Sequence, residues 1–556
     1  MAKDTLDGQA YVEMILKGTA SLSGHAQEVN DLNVFPIPDG DTGDNMSMTM
    51  RGGAGAKATE MSIGDAAEKV ARGMLLGARG NSGVILSQFF AGIADGLKGK
   101  ESADAAAFGE ACKEGVKRAY KSVVTPTEGT ILTVAKDATK FACEQNPESL
   151  DDFLAAFLEE AKRALDRTPD QLDVLKEAGV VDSGGAGLVY ITEGMYKAVR
   201  GEEVEFDLSN PSHTALQPAA IDVDLFTEDT EFEFGYCTEL LIRLQSAKVD
   251  VQSFDAKTII DYLSEIGNSI VCIKTDSIVK LHVHTFEPYK VLEFCQHFGE
   301  FLTVKIENMM LQHNELMAGE EKQGSVSREN EVRDWRKPFA VVTVANGAGI
   351  EQEFRNFGAD EVIVGGQTMN PSSQDFVSAF DRVNADTIFV LPNNGNIIMA
   401  AQQAASLYED SDVRVIPSKT IGDAYAILAM LDFTSNDADT IEEEMNFAME
   451  GVLTAEISRS IRDAEMNGHA IQKGDYIGIL GKEIVSADRD IIDVTLETAE
   501  KMELEEHAAL IVLSGNDASP DDSERFVSEL KKKHPELEVY ESVGGQAVYD
   551  FILIAE

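Results

Sequence analysis

The chain is short of positive charge and of cysteine, and each shortage excludes a class of function. Its 556 residues carry 47 Lys and Arg against 97 Asp and Glu, a formal net charge of −50 at pH 7. A field of that sign repels nucleic acid and anionic lipid surfaces, so neither is an expected partner. It fits a basic protein partner or plain solubility. Five cysteines, an odd number at scattered spacing, argue against a disulfide framework. No apolar run approaches the about 20 residues that a membrane span needs. Met1 to Gly18 carries acids and no signal-peptide core. A cytoplasmic protein with no stable membrane insertion is expected. Also missing are the P-loop pattern GxxxxGK followed by Ser or Thr, and a glycine-rich dinucleotide fingerprint after a strand pattern.

What is present is 44% hydrophobic residues, ample for real cores, on a length that fits about three or four domains. Apolar residues recur at helical spacing over 65–78, 83–97, 103–122, 150–166 and 186–199, so residues 1–202 read as an all-α domain. The segment 203–230 is acidic, holds Pro211 and Pro218, and reads as a linker. Strand, helix, strand, strand, helix and strand patterns then follow at 232–244, 253–266, 269–274, 278–284, 288–298 and 301–308. That order is expected of a ferredoxin-like α+β domain over 231–317. A charged stretch, 318–337, reads as a second linker. Over 338–556, strand patterns at 339–344, 361–364, 387–391 and 413–416 alternate with helices, as in parallel α/β architecture. A long helical pattern at 441–466, then strands at 476–480, 509–513, 537–540 and 548–553, suggest a second lobe.

The densest chemistry lies in Pro38-Asp39-Gly40-Asp41-Thr42-Gly43-Asp44-Asn45. Two like charges about 4 Å apart cost on the order of 4 kcal/mol at an effective dielectric of about 20. Crowded carboxylates therefore invite a cation, and all-oxygen ligands suit Mg²⁺ or Ca²⁺ better than zinc. Asp39 and Asp41, two apart, can point the same way. Thr42 is a plausible helix N-cap, which sets the carboxylates at a helix N-terminus, an end that attracts phosphate. Metal, glycine loop and helix end together suggest a nucleotide triphosphate site. The twelve-residue EF-hand register is lacking, and a solvated Asp-Gly turn remains the plain alternative.

Three more loops open helices in the same region. Gly77-Ala78-Arg79-Gly80-Asn81-Ser82-Gly83 has small residues that let amides near phosphate, with Ser82 able to donate a hydroxyl. The others are Thr125-Pro126-Thr127-Glu128-Gly129-Thr130 and Val181-Asp182-Ser183-Gly184-Gly185-Ala186-Gly187. Singly, each reads as a helix connection; four in one domain favour a site. In the middle domain, His282 and His284 share a strand face, and Cys237 lies in another strand. Two imidazoles and a thiolate are good zinc ligands; the alternative is an exposed polar sheet face. His297, Cys272 and Cys295 read as structural. Loops 365–372 and 392–396 follow strands in the last domain, where open α/β sheets bind ligands, or are plain turns.

Asn33 to Gly43, with Gly80-Asn81-Ser82-Gly83 and Asp182 to Gly187, resembles the ATP-binding domain of the dihydroxyacetone kinase family. Over its whole length the chain resembles the ATP-binding subunit of bacterial fatty acid kinase. The resemblance implies a helical barrel with ATP at one end, its triphosphate held through Mg²⁺ by acidic side chains. It makes Asp39 and Asp41 the metal ligands, sets Asn45 and Ser82 near the phosphates, and makes Asn33 a weaker candidate. Asp44 stands at a position variable in such motifs. Thr42, Gly83 and Thr130 belong to the same nucleotide-facing loops, and Asp182 and Gly184 would approach the base or ribose. Arg79, from its neighbourhood alone, could neutralise developing charge. The resemblance also favours Zn²⁺ at Cys237, His282 and His284, a DegV-like C-terminal region that docks a partner, and a homodimer.

The expected reaction moves the γ-phosphate of ATP to a fatty acid carboxylate, giving an acyl phosphate. The acyl chain would be presented by a separate DegV-like fatty-acid-binding protein. A carboxylate is already ionised, so no general base is needed; protein-side work is positioning and charge neutralisation. Two alternatives stand beside it: a small-molecule kinase acting on a hydroxylated substrate such as dihydroxyacetone, and a nucleotide-sensing scaffold without turnover.

Overall fold

The computed structural model describes residues 5–33, 40–55, 61–202, 236–251, 254–264, 266–275, 277–308, 336–366, 369–431, 433 and 437–556. Both expected linkers, 203–230 and 318–337, fall outside them except for Arg336 and Lys337. The chain divides into two compact units, one built from Met1–Asp207 with Lys337–Ile427 and Asp432–Glu556, the other chiefly from Leu208–Arg336.

In the first unit the N-terminal region is helical throughout its described length. Long helices run Gly8–Gly24, Thr42–Ala54, Ile63–Gly77, Gly80–Leu97, Ala105–Lys121, Ile131–Glu144, Leu150–Asp166 and Ser183–Val199. Polar caps start several of them. Asp7 accepts from Ala10 N–H at 2.8 Å, Ser62 from Asp65 N–H at 3.1 Å and Asp104 from Ala107 N–H at 2.8 Å. Their apolar faces meet around the fully buried Tyr11, Phe90, Phe108 and Phe153. The helices expected to begin at 83 and 186 begin at Gly80 and Ser183. The first turn of each is small and polar, so apolar periodicity picks them up one turn late.

Toward the C-terminus a four-stranded parallel sheet has the order Glu361–Val364, Lys337–Ala345, Ala385–Leu391, Asp412–Val415. A mixed six-stranded sheet follows, ordered Glu483–Asp488, Tyr476–Leu480, Leu453–Arg459, Tyr549–Ala555, Ala509–Ser514, Glu538–Val543. The long helix expected over 441–466 is corrected. Helix Ala438–Ala448 ends in the tight turn Met449–Gly451, and Leu453–Arg459 is a strand between Tyr476–Leu480 and Tyr549–Ala555. Gly451 breaks the helix, and Ala455 and Ile457, two apart, are both buried.

The helical region and the parallel sheet are not separate bodies. Ala78 and Val84 of the helical region lie in one apolar cluster with Phe376, Phe380, Ile388 and Ala400.

In the second unit, strands Tyr236–Leu244, Gly267–Thr275, Ile278–Thr285 and Gly299–Asn308 alternate with helices Lys257–Leu263 and Pro288–Cys295. The sheet order is second, third, first, fourth, with every pair antiparallel. Leu240, Ile242, Val279, Leu281 and Val283 form its core with Cys272 and Cys295. Among the described residues no helix is long and apolar enough to cross a membrane.

Candidate active site

Asp39 lies outside the described residues; Asp41 lies within them. The N-cap of helix Thr42–Ala54 is Asp41, and Thr42 is the first helical residue, which corrects the expected cap. Asp41 makes no side-chain cap bond. Its Oδ2 instead accepts from Nδ2 of Asn370, 329 residues away in the C-terminal region.

The helix end is capped from the side by a residue that sequence reading missed. Asn30 Oδ1 accepts the Gly43 N–H at 2.7 Å and the Asp44 N–H at 3.4 Å. Its Nδ2 donates to Asp44 Oδ2 at 2.9 Å, so Asp44 holds the loop together. Gly43 is required here, because a Cβ would run into the carbonyl oxygen of Ala26. Asn33 N–H donates to Asn30 O at 3.1 Å, at the base of the same loop. Asn45 is buried, and its Nδ2 lies 2.7 Å from where a Cβ on Gly80 would stand. Gly80 has φ +58°, a conformation that favours glycine.

The second loop faces the C-terminal region. Arg79 donates to Asn370 O at 2.6 Å and lies 3.4 Å from the Asp375 carboxylate. The cation expected to meet developing charge is therefore engaged in this seam. Asn81 Nδ2 donates to Asn396 Oδ1 at 3.2 Å. Ser373 N–H donates to Ala78 O at 3.2 Å. Gln403 donates to Leu75 O at 2.6 Å and accepts from Gln88 at 2.7 Å. Ser82 is half-buried in the first turn of helix Gly80–Leu97. Gly83 is buried beneath Thr49 Oγ1, which leaves no space for a Cβ, so it serves helix packing.

The other two loops are held mainly by local bonds. Asp182 caps helix Ser183–Val199 by accepting from Gly185 N–H at 2.7 Å. Burial pushes its carboxyl up to about 6. A Cβ on Gly184 would stand 3.3 Å from Asp182 Oδ2 and from Ile131 Cβ, so the glycine sits in a tightly packed position. Thr130 starts helix Ile131–Glu144, and its hydroxyl donates to Thr127 O at 2.8 Å. One bond reaches the carboxylate loop: Ser183 Oγ to Thr42 Oγ1 at 3.3 Å.

The seam beside Asp41 holds N–H groups of Asn370, Asn45 and Arg79 together with carboxamide oxygens. Asn81 Oδ1 and Asn370 Oδ1 are buried with no hydrogen-bond partner among the described residues. Carboxylate and carboxamide oxygens, with no imidazole or thiolate, fit a hard cation such as Mg²⁺. Among the described residues no group of three or more His, Cys, Asp or Glu could hold a metal, so within them the fit rests on the chemistry of the Asp41 carboxylate, with the unpartnered oxygen of its neighbour Asn370 beside it. In the middle unit, register sets Cys237 opposite His284 and Glu239 opposite His282; these four side chains lie outside the description. Cys272 and Cys295 are buried, each thiol pushed up to about 12 by burial, in keeping with structural roles.

Loops 365–372 and 392–396 divide between two jobs. Asn370, Ser372 and Asn396 meet the helical region. Gly365, Asn393 and Asn394 line a cleft of about 1030 Å³, together with Lys419, Arg462 and Lys482.

The helical region falls in a kinase class by its match to the DAK2 domain family over residues 36–197. Residues 233–316 match the middle domain of the FakA-like fatty acid kinase family, and residues 340–556 match its C-terminal domain. The chain belongs to this FakA-like family of fatty acid kinase proteins. It is 42% identical over 566 residues to protein YloV of Bacillus subtilis, covering 100% of both chains. A Staphylococcus aureus USA300 protein is 36% identical, covering 99% of each. Among solved structures, DegV of B. subtilis, a fatty acid binding protein, is similar over 39% of this chain and 99% of its own, at 12% identity and TM-score 0.31. The dihydroxyacetone kinase of C. freundii, in complex with AMP-PNP and Mg²⁺, is similar over 34% of this chain and 33% of its own, at 20% identity and TM-score 0.28.

Proposed function

We propose that the chain is the ATP-using component of a fatty acid kinase. It transfers the γ-phosphoryl group of ATP to a fatty acid carboxylate presented by a separate DegV-like protein. The observation that carries the reading is the Asp41 carboxylate at the mouth of helix Thr42–Ala54, in a chain of this family. A carboxylate oxygen forms the new bond to the γ-phosphorus as the bond to the β–γ bridging oxygen breaks. ADP and acyl phosphate leave, and no proton need move. Asp39 and Asp41 would hold Mg²⁺, whose charge offsets that of the phosphates. The N–H groups and dipole at the start of helix Gly80–Leu97 favour phosphate nearby, with Ser82 in the first turn.

The same reading gives the N-terminal region a barrel-like bundle and the middle unit a ferredoxin-like fold, which its antiparallel sheet order supports. It assigns Zn²⁺ to Cys237, His282 and His284, supported by the register of Cys237 with His284, and dimerisation to that unit. ATP consumption should require both a fatty acid and an acyl-binding protein. Consumption with dihydroxyacetone alone would replace the acceptor, and ATP binding without turnover on any acceptor would favour a nucleotide-sensing scaffold.

A further inference from the structure

The seam between the helical region and the C-terminal sheet runs through the proposed triphosphate mouth. Asn370 is 2% exposed and donates through Nδ2 to Asp41 Oδ2. Its backbone carbonyl oxygen is held by Arg79 at 2.6 Å, and Ser372, two residues on, bridges to the Arg79 backbone. Ser372 also makes a capping box with Asp375, which fixes the start of helix Ser373–Val383. Asn370 Nδ2 lies 3.8 Å from the position of a Gly80 Cβ, beside Asn45 Nδ2 at 2.7 Å. Two loops read as phosphate-facing, and one residue from a distant domain, thus converge on one place. The shared core of Ala78 and Val84 with Phe376 and Phe380 marks a lasting interface rather than a flap.

We infer that Asn370 is a positioning residue of the kinase site. Its Nδ2 holds the Asp41 carboxylate in one orientation at the helix mouth, and the C-terminal domain is therefore part of the nucleotide site. The inference rests on the reading that Asp41 holds Mg²⁺ with ATP. A partner that orients a metal-binding carboxylate commonly changes metal affinity by about 10–100-fold when removed.

The test is calorimetric titration of ATP into the full-length chain over a series of Mg²⁺ concentrations. Three proteins are compared: wild type, Asn370→Ala, and Gln403→Ala, which loosens the same seam without touching Asp41. The expected result is a Mg²⁺ requirement for ATP binding raised about tenfold or more in Asn370→Ala. Saturating Mg²⁺ should recover its binding, and Gln403→Ala should behave as wild type. An unchanged Mg²⁺ requirement in Asn370→Ala would overturn the inference. So would tighter ATP binding, which would mean that Asn370 blocks the mouth, or the same shift in Gln403→Ala, which would mean that the seam acts only as support. Wild type that binds no ATP at any Mg²⁺ concentration would overturn the kinase reading itself, and this inference with it.

Discussion

Asn30 reaches across 13 residues to accept the backbone N–H of Gly43 at 2.7 Å, and so holds the start of the helix whose N-cap is Asp41. The bond makes a side chain outside the carboxylate motif responsible for the motif's shape. Asn30→Ala leaves the Gly43 and Asp44 N–H groups short of an acceptor and Asp44 short of a donor. A loss of about 1–3 kcal/mol in urea unfolding is expected, together with weaker ATP binding. Unchanged stability would show the loop to be held by other means.

Gly83 sits where two helices touch. Alanine there puts a methyl group against Thr49 Oγ1, and Thr49 in turn accepts from Arg79 N–H at 3.3 Å and donates to Asn45 O at 2.7 Å. Gly83→Ala should destabilise the protein by about 1–3 kcal/mol and lower turnover through displacement of Asn45. Paired thermal melts and ATP-consumption rates check it.

Asp182 carries a carboxyl raised from 3.8 to about 6 by burial. A raised acid binds its proton more tightly in the folded state than in the unfolded chain. Stability from this group therefore falls as pH rises from about 4 to 6 and stays low above that. Asn keeps the acceptor for Gly185 N–H and removes the charge. Asp182→Asn should match wild type near pH 4 and exceed it near pH 7.5 by up to about 3 kcal/mol, at about 1.4 kcal/mol per unit, a figure that partial exposure of the side chain reduces. Equal unfolding midpoints at the higher pH would contradict this.

Cys237 stands opposite His284 across an antiparallel pair of strands. Purified protein should contain zinc, and His284→Ala should lose it, measured by elemental analysis. Zinc-free wild type would remove the metal from the middle unit.

Legibility in the sequence followed the range of the interactions. The helices at 65–78 and 150–166 were readable because one apolar stripe each packs into a single core. The four parallel strands of the C-terminal sheet were readable from their β-branched runs. Local chemistry misled where a cap had a distant claim on it. Thr42 looks like the N-cap, but Asp41 takes that position and its carboxylate bonds Asn370. The stretch 441–466 kept helical spacing past Gly451, although pairing with Tyr549–Ala555 makes Leu453–Arg459 a strand. Asn30, Asp375 and Gln403 carried no motif at all, and Asn370 and Asn396 lay in loops readable only as ligand loops or plain turns. Their parts arise from contacts between segments far apart in the chain, which periodicity does not encode.

The most direct measurement is phosphoryl transfer from ATP to a fatty acid held by its acyl-binding protein, in wild type and in Asp41→Asn. Asn keeps the size of the side chain and an acceptor for Asn370 Nδ2, but lacks the charge. Wild type should form acyl phosphate, and Asp41→Asn, with an unchanged unfolding transition, should lose that activity by at least about a hundredfold. Activity retained in Asp41→Asn would contradict the assignment of this carboxylate to the metal and its nucleotide.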